Sequence, residues 1–89
     1  MKEIRWSFLK SERLKRVRGV SFEAIIKARL IAVKRNPGRK DQKIMLFLYK
    51  RYIWIVPFVE DKEHIFLKTL FPSRKYTSLY KEGKLHEKN

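Results

Sequence analysis

No cysteine occurs in the 89 residues, which excludes a disulfide framework, a thiolate metal site and a cysteine nucleophile. Histidine is almost as scarce. His64 and His86 are far apart and the second sits in a polar tail, so no metal site or other bound cofactor is expected. Three glycines are too few for a phosphate-cradling glycine loop. The longest apolar stretch, 52–59, is far short of the roughly 20 residues of a membrane span. Lys2 and Arg5 are followed by no apolar segment of signal-peptide type, so a cytoplasmic protein without a membrane partner is expected. The scarcest class is negative charge: nine acids face 23 lysines and arginines, a net charge of +14.

What is present is positive charge beside aromatic rings. Self-repulsion of this size gives a small fold no stability, so an anionic partner is its physical counterpart. Tyr52, Trp54, Phe58, Phe66, Phe71, Tyr76 and Tyr80 can stack bases or fill a core, and composition does not decide between the two. An anionic lipid surface is the lesser reading, because it calls for a strongly amphipathic helix or a lipid anchor. A hydrophobic fraction of 44% is that of a folded chain rather than a disordered one. One domain over 1–83 with a polar tail at 84–89 is expected.

The chain divides into a basic helical front, a β-rich middle and a short helical end. A helix is predicted over 7–18, with Phe8, Leu9, Leu14 and Val17 spaced among cations and Gly19 as its C-cap. Ser21 caps a second helix, with Glu23 favouring its dipole and Phe22, Ile25, Ile26 and Leu30 as a core-facing stripe. Strands follow at 31–34, 44–49 and 52–59, separated by the Asn36-Pro37-Gly38 turn and a Lys50-Arg51 hairpin that no glycine supports as a primed turn. Arg39, Lys40 and Lys43 sit in or beside the first of these loops. Pro57 has no N–H for a ladder and points to a bulge or an unpaired site. The acids Glu60, Asp61 and Glu63 turn the chain into a last strand, 64–71. There, alternation places Ile65, Leu67, Thr69 and Phe71 on one face and Phe66, Lys68 and Leu70 on the other. Ser73 caps a final helix that ends at Gly83. The fold class is α+β: two N-terminal helices packed on an antiparallel sheet of three to four strands, then a short C-terminal helix.

Lys68 interrupts an apolar strand, which is costly unless its ammonium reaches solvent or a partner. It is either a snorkelling side chain or a phosphate contact. Arg74 and Lys75 open the last helix, where the dipole disfavours cations unless an anion is bound. Arg51, Tyr52 and Trp54 form a basic-aromatic cluster in which alternation assigns Tyr52, Trp54, Val56 and Phe58 to a single, mainly core face. The acids are adjacent in a turn and do not make a catalytic pair. His64 is an available general acid or base.

Three stretches in the right order resemble the BrnT-type toxins of bacterial toxin–antitoxin pairs. They are Trp6 with a charged helix running into RGVSFEA at 18–24, the paired strands with an acidic hairpin at 44–71, and PSRKYT at 72–77 followed by Tyr80. The resemblance spans roughly residues 4–83. Arg18 stands where the family has histidine and Tyr76 where it has alanine, and the spacing from Lys68 to Arg74 is one residue longer. The resemblance implies a RelE-like ribonuclease fold and a metal-independent endoribonuclease that halts translation on free or ribosome-bound RNA. It also implies a heteromeric complex with a ribbon-helix-helix antitoxin. By position Arg74 and Lys75 match the family's paired basic residues and Lys68 stands near its basic strand residue, so these three are expected to be catalytic. Arg51, Tyr52, Tyr76 and Tyr80 are expected to bind RNA; a proton acceptor is not identified, and Lys68 and His64 are its candidates. Without cleavage, the same residues describe a basic nucleic-acid-binding module.

Overall fold

A computed structural model describes residues 2–85. The order is β1 (Glu3–Arg5), α1 (Phe8–Arg18), α2 (Phe22–Ile25), β2 (Arg29–Arg35), β3 (Lys43–Tyr49), β4 (Tyr52–Glu60), β5 (His64–Leu67), β6 (Phe71–Pro72) and α3 (Arg74–Lys81). The class is α+β as expected, but the sheet is mixed and six-stranded, in the order β1-β5-β4-β3-β2 with β6 beside β4. β1 pairs parallel with β5 and the remaining pairs are antiparallel. A three-residue edge strand is too short to carry the period-two pattern that identifies strands.

Apolar side chains alternate along β3 and β4 and make two cores, one on each face of the sheet. On the first face Met45, Phe47, Val56, Phe58, Leu67 and Leu70 meet Leu14, Phe22 and Ile25 from the helices, with Trp54 packed against them. On the second face Ile31, Ala32, Ile44, Leu46 and Ile53 meet Tyr76 and Tyr80 of α3 and Leu85 beyond it. The C-terminal helix therefore covers the face opposite the other two. Phe22, Ile25, Ile53 and Leu70 are fully buried, each worth about 1.5–3 kcal/mol relative to exposure.

The helix ends are built by the expected Gly19, Ser21, Ser73 and Gly83, and by Ser7, which caps α1 instead of lying inside it. Ser7 accepts from the Lys10 N–H at 3.2 Å, Ser21 from Ala24 at 3.1 Å and Ser73 from Tyr76 at 3.0 Å. Gly19 ends α1 in the left-handed region at φ 79°, where a Cβ would be strained. Gly83 does the same after α3 at φ 73°. The chain turns back beyond it with the Lys84 N–H on the Leu79 carbonyl at 2.8 Å, and Leu85 is drawn into the second core. The rest of the expected tail, 86–89, lies outside the described residues.

Two sequence expectations fail locally. α2 is a single turn, and Leu30 lies in β2, 47% exposed, instead of extending a core stripe. The apolar run at 30–33, with β-branched Ile31 and Val33, takes the chain into the sheet at Arg29. The strand expected over 64–71 is broken at 68–70. Pro57 lies opposite this break, and with no N–H it supplies only its carbonyl, which accepts from the Lys68 N–H at 2.9 Å. The ladder lapses there, and Leu70 joins Leu67 in the first core instead of facing away from it.

The β3–β4 turn lies at Lys50 and Arg51 as expected, but in the primed form that no glycine supports. Lys50 and Arg51 have φ of 51° and 67°, the signature of a type I′ turn, which normally uses Asn-Gly. Each non-glycine residue held there costs roughly 1–2 kcal/mol.

Candidate nucleic-acid interface

α1 is rich in good helix formers but buries only Ser11 and Leu14. Phe8, Leu9 and Val17, three of its four spaced apolar positions, are 65%, 78% and 71% exposed. The helix is held by a polar clamp instead. The Ser11 hydroxyl donates to Glu23 Oε1 at 2.6 Å and accepts from the Phe22 N–H at 2.9 Å. Trp6 Nε1 donates to Glu23 Oε2 at 3.1 Å. These bonds, the one from Ser11 foremost, hold the Glu23 carboxyl below its ordinary range. Glu23 thus ties the segment before α1, α1 itself and α2 together, a larger role than favouring a helix dipole. The SFE segment signalled a cap, but nothing in the spacing foretold the Trp6 and Ser11 contacts.

The break at 68–70 runs beside α1. Arg18 Nη1 donates to the Leu70 carbonyl at 3.1 Å, and two surface grooves open where these segments meet. The first, about 180 Å³, is lined by Lys10, Arg13, Leu14, Val17, Arg18 and Thr69. The second, about 350 Å³, shares Lys10 and Thr69 with it. Pro57 and Phe71 are its apolar lining, Asn36, Gln42 and Thr69 are polar, and Lys10, Arg39 and Lys68 supply charge. The Asn36 side chain folds the β2–β3 loop by accepting from the Gly38 N–H at 2.9 Å and donating to Gln42 Oε1 at 3.2 Å.

The adjoining grooves thus present Lys10, Arg13, Arg18, Arg39 and Lys68, and among the described residues no carboxylate lines either one. Among the described residues none of these five cations has an ion-pair partner. Lys68 Nζ lies 5.5 Å from the centre of the Phe66 ring. A run of fixed positive charge with polar donors and a small apolar floor suits a phosphodiester chain, whose affinity comes mainly from phosphate contacts.

Of the catalytic and RNA-binding residues expected from the sequence, Lys68 alone lines this groove. Arg74 and Lys75 are exposed at the start of α3, with Lys75 Nζ 5.8 Å from the Tyr76 ring centre. The Ser73 N–H bonds the Ile53 carbonyl at 2.9 Å. The start of α3 is therefore level with Ile53, four residues along β4 from Pro57, or about 13 Å at the rise of a strand. Arg51 is exposed at the β3–β4 turn, and Tyr52 is half-buried opposite Tyr49. Tyr76 and Tyr80 are half-buried against the second core. The groove residues missed in the sequence are Lys10, Arg13, Arg18 and Arg39. The signal for Lys10, Arg13 and Arg18 was the basic helix and that for Arg39 the charged loop at 39–43, but nothing in the sequence brings the two together.

His64 is at the far end of β5. Its Nε2 is 3.7 Å from Glu3 Oε1 and its Nδ1 3.5 Å from Asp61 Oδ1, a carboxylate environment that repels phosphate. Comparison with family models, characterised proteins and solved structures finds no match for the chain.

Proposed function

We propose that the protein grips RNA along the groove between α1 and the break at 68–70, and that it is a metal-independent endoribonuclease toxin that halts translation. The observation that carries the binding is the set of five cations, without a carboxylate, lining two adjoining grooves. Cleavage, translational arrest and neutralisation by a ribbon-helix-helix antitoxin rest on the likeness to BrnT-type toxins. That antitoxin covers α1, where Phe8, Leu9 and Val17 stand exposed among cations.

In the reaction, the ribose 2′-oxygen bonds to the adjacent phosphorus and the bond from phosphorus to the 5′-oxygen breaks. The 2′-hydroxyl proton passes to an acceptor and the 5′-oxygen takes up a proton, leaving a 2′,3′-cyclic phosphate and a 5′-hydroxyl end. Negative charge builds on the phosphate oxygens, and fixed cations aimed at it supply the largest catalytic effect. Lys68 and Lys10 act on that charge, and Arg13, Arg18 and Arg39 hold neighbouring phosphates. Arg74 and Lys75 hold RNA further along β4.

The test is incubation of a defined RNA with the protein in excess chelator, alongside Lys68→Gln and Arg74→Ala at matched thermal stability. Cleavage by wild type, reduced on the order of 100-fold in Lys68→Gln, supports the ribonuclease. RNA that is bound but intact supports the second reading, a non-catalytic RNA-binding module. One observation favours that reading: among the described residues no carboxylate or histidine lines the groove to take the 2′-hydroxyl proton.

A further inference from the structure

The β3–β4 turn holds two cations in a conformation that asparagine and glycine adopt more easily. Lys50 and Arg51 both have positive φ and are exposed, and Lys50 Nζ sits 5.4 Å from the Tyr49 ring centre. Backbone strain that persists at a surface turn points to a use for the side chains. Arg74 and Lys75 begin beside Ile53, two residues from Arg51 along β4, because the Ser73 N–H bonds the Ile53 carbonyl and the Ile53 N–H bonds Thr77 Oγ1 at 2.8 Å. Among the described residues none of these four cations has an ion-pair partner. Glu60, Asp61 and Glu63 lie at the opposite end of β4.

We infer that the β3–β4 turn is a second phosphate-binding site, in which Lys50 and Arg51, backed by Arg74 and Lys75, grip single-stranded RNA beyond the groove. This rests on the RNA reading above and adds a requirement for length. Arg51 is six residues along β4 from Pro57, about 20 Å. At a stacked rise of about 3.4 Å per nucleotide this is roughly six nucleotides. A 4-nucleotide strand reaches only one site, whereas 12 nucleotides span both, within the range that single-strand binding proteins cover.

The test uses 2′-O-methyl oligouridylates of 4 and 12 nucleotides, which bind but cannot be cleaved through the 2′-oxygen. The variant Lys50→Asn/Arg51→Gly keeps the turn and relieves its strain, so its Tm rises by a few degrees. Its 12-mer affinity falls roughly tenfold at low salt and the slope of log affinity against log salt drops by about 1.4, the value for two lost phosphate contacts on a single strand. Its 4-mer affinity, set by the groove, is unchanged. Lys50→Gln/Arg51→Gln gives the same slope loss without the rise in Tm. Unchanged 12-mer binding in either variant overturns the inference, as does an equal loss for both probes. Wild type that binds neither probe sinks the RNA reading and the turn's role with it.

Discussion

The two ends of β5 handle charge in opposite ways. At the His64 end the acids are interlocked with their neighbours. Glu60 takes Lys2 at 2.7 Å and Lys43 at 2.8 Å, and Asp61 Oδ1 accepts from the Glu63 and His64 N–H groups at 2.8 and 2.7 Å. Those backbone bonds hold the Asp61 carboxyl below its ordinary range. The Lys2 and Lys43 ammonium groups pull the Glu60 carboxyl down to about 2. At the Lys68 end, five cations line a groove with no acid among them. One end satisfies its charge internally; the other leaves its charge for a ligand. The net charge of +14 gives the sign of the whole, and the pairing pattern marks the groove as the place for the proposed polyanion.

Charge reversal at the open end breaks this contrast most severely. Lys10→Glu/Lys68→Glu is expected to weaken binding of a 12-nucleotide strand on the order of 100-fold at low salt. Both residues are exposed, so thermal stability should shift by only about 0.5 kcal/mol. Comparable binding by this variant and wild type would place the interface elsewhere.

Next in size is Ser11→Ala. It leaves the Phe22 N–H without its acceptor and Glu23 without its shortest hydrogen bond, at a cost of about 2 kcal/mol. Thermal unfolding should show a Tm loss of roughly 10 °C, while the salt slope of RNA binding below the melting range is unchanged. A lowered slope would mean that the clamp sets the groove charges as well as the fold.

The smallest effect is at the closed end. The folded carboxyl of Glu60 titrates at about 2 against an ordinary value of 4.5. Because the folded value is the lower one, its stabilisation is fully present above pH 4.5 and is lost as pH falls through 2. Tm measured against pH should therefore be flatter in Glu60→Gln than in wild type across that window. Parallel profiles would show that the two lysine contacts contribute nothing to stability in solution.

Much of the scaffold was legible in local chemistry. Gly19, Ser21, Ser73 and Gly83 mark helix ends because few residues serve those positions, and the alternation in β4 identified Trp54, Val56 and Phe58 as inward-facing. Pro57 also announced an interruption, since a missing N–H is a property of the residue itself. What local chemistry does not carry is long-range pairing. The parallel partnership of Glu3–Arg5 with β5 leaves no periodic trace, and the partner strand bends at 68–70 because of a proline on its neighbour. Lys68 was visible as a charge in an apolar run. Its companions Lys10, Arg13, Arg18 and Arg39 come from the first helix and a distant loop, so only the tertiary fold brings them together. The Lys50–Arg51 hairpin was placed by its neighbours, but not its type: strand twist imposes a primed turn even where the residues resist it.

The most direct test is the salt dependence of 12-mer binding by wild type and by Lys10→Gln/Lys68→Gln. Five groove cations predict a wild-type slope of about −3.5 or steeper, and the double variant should lose about 1.4 of it. A wild-type slope near zero, or one that the variant leaves unchanged, would contradict the assignment of the groove as the RNA-binding site.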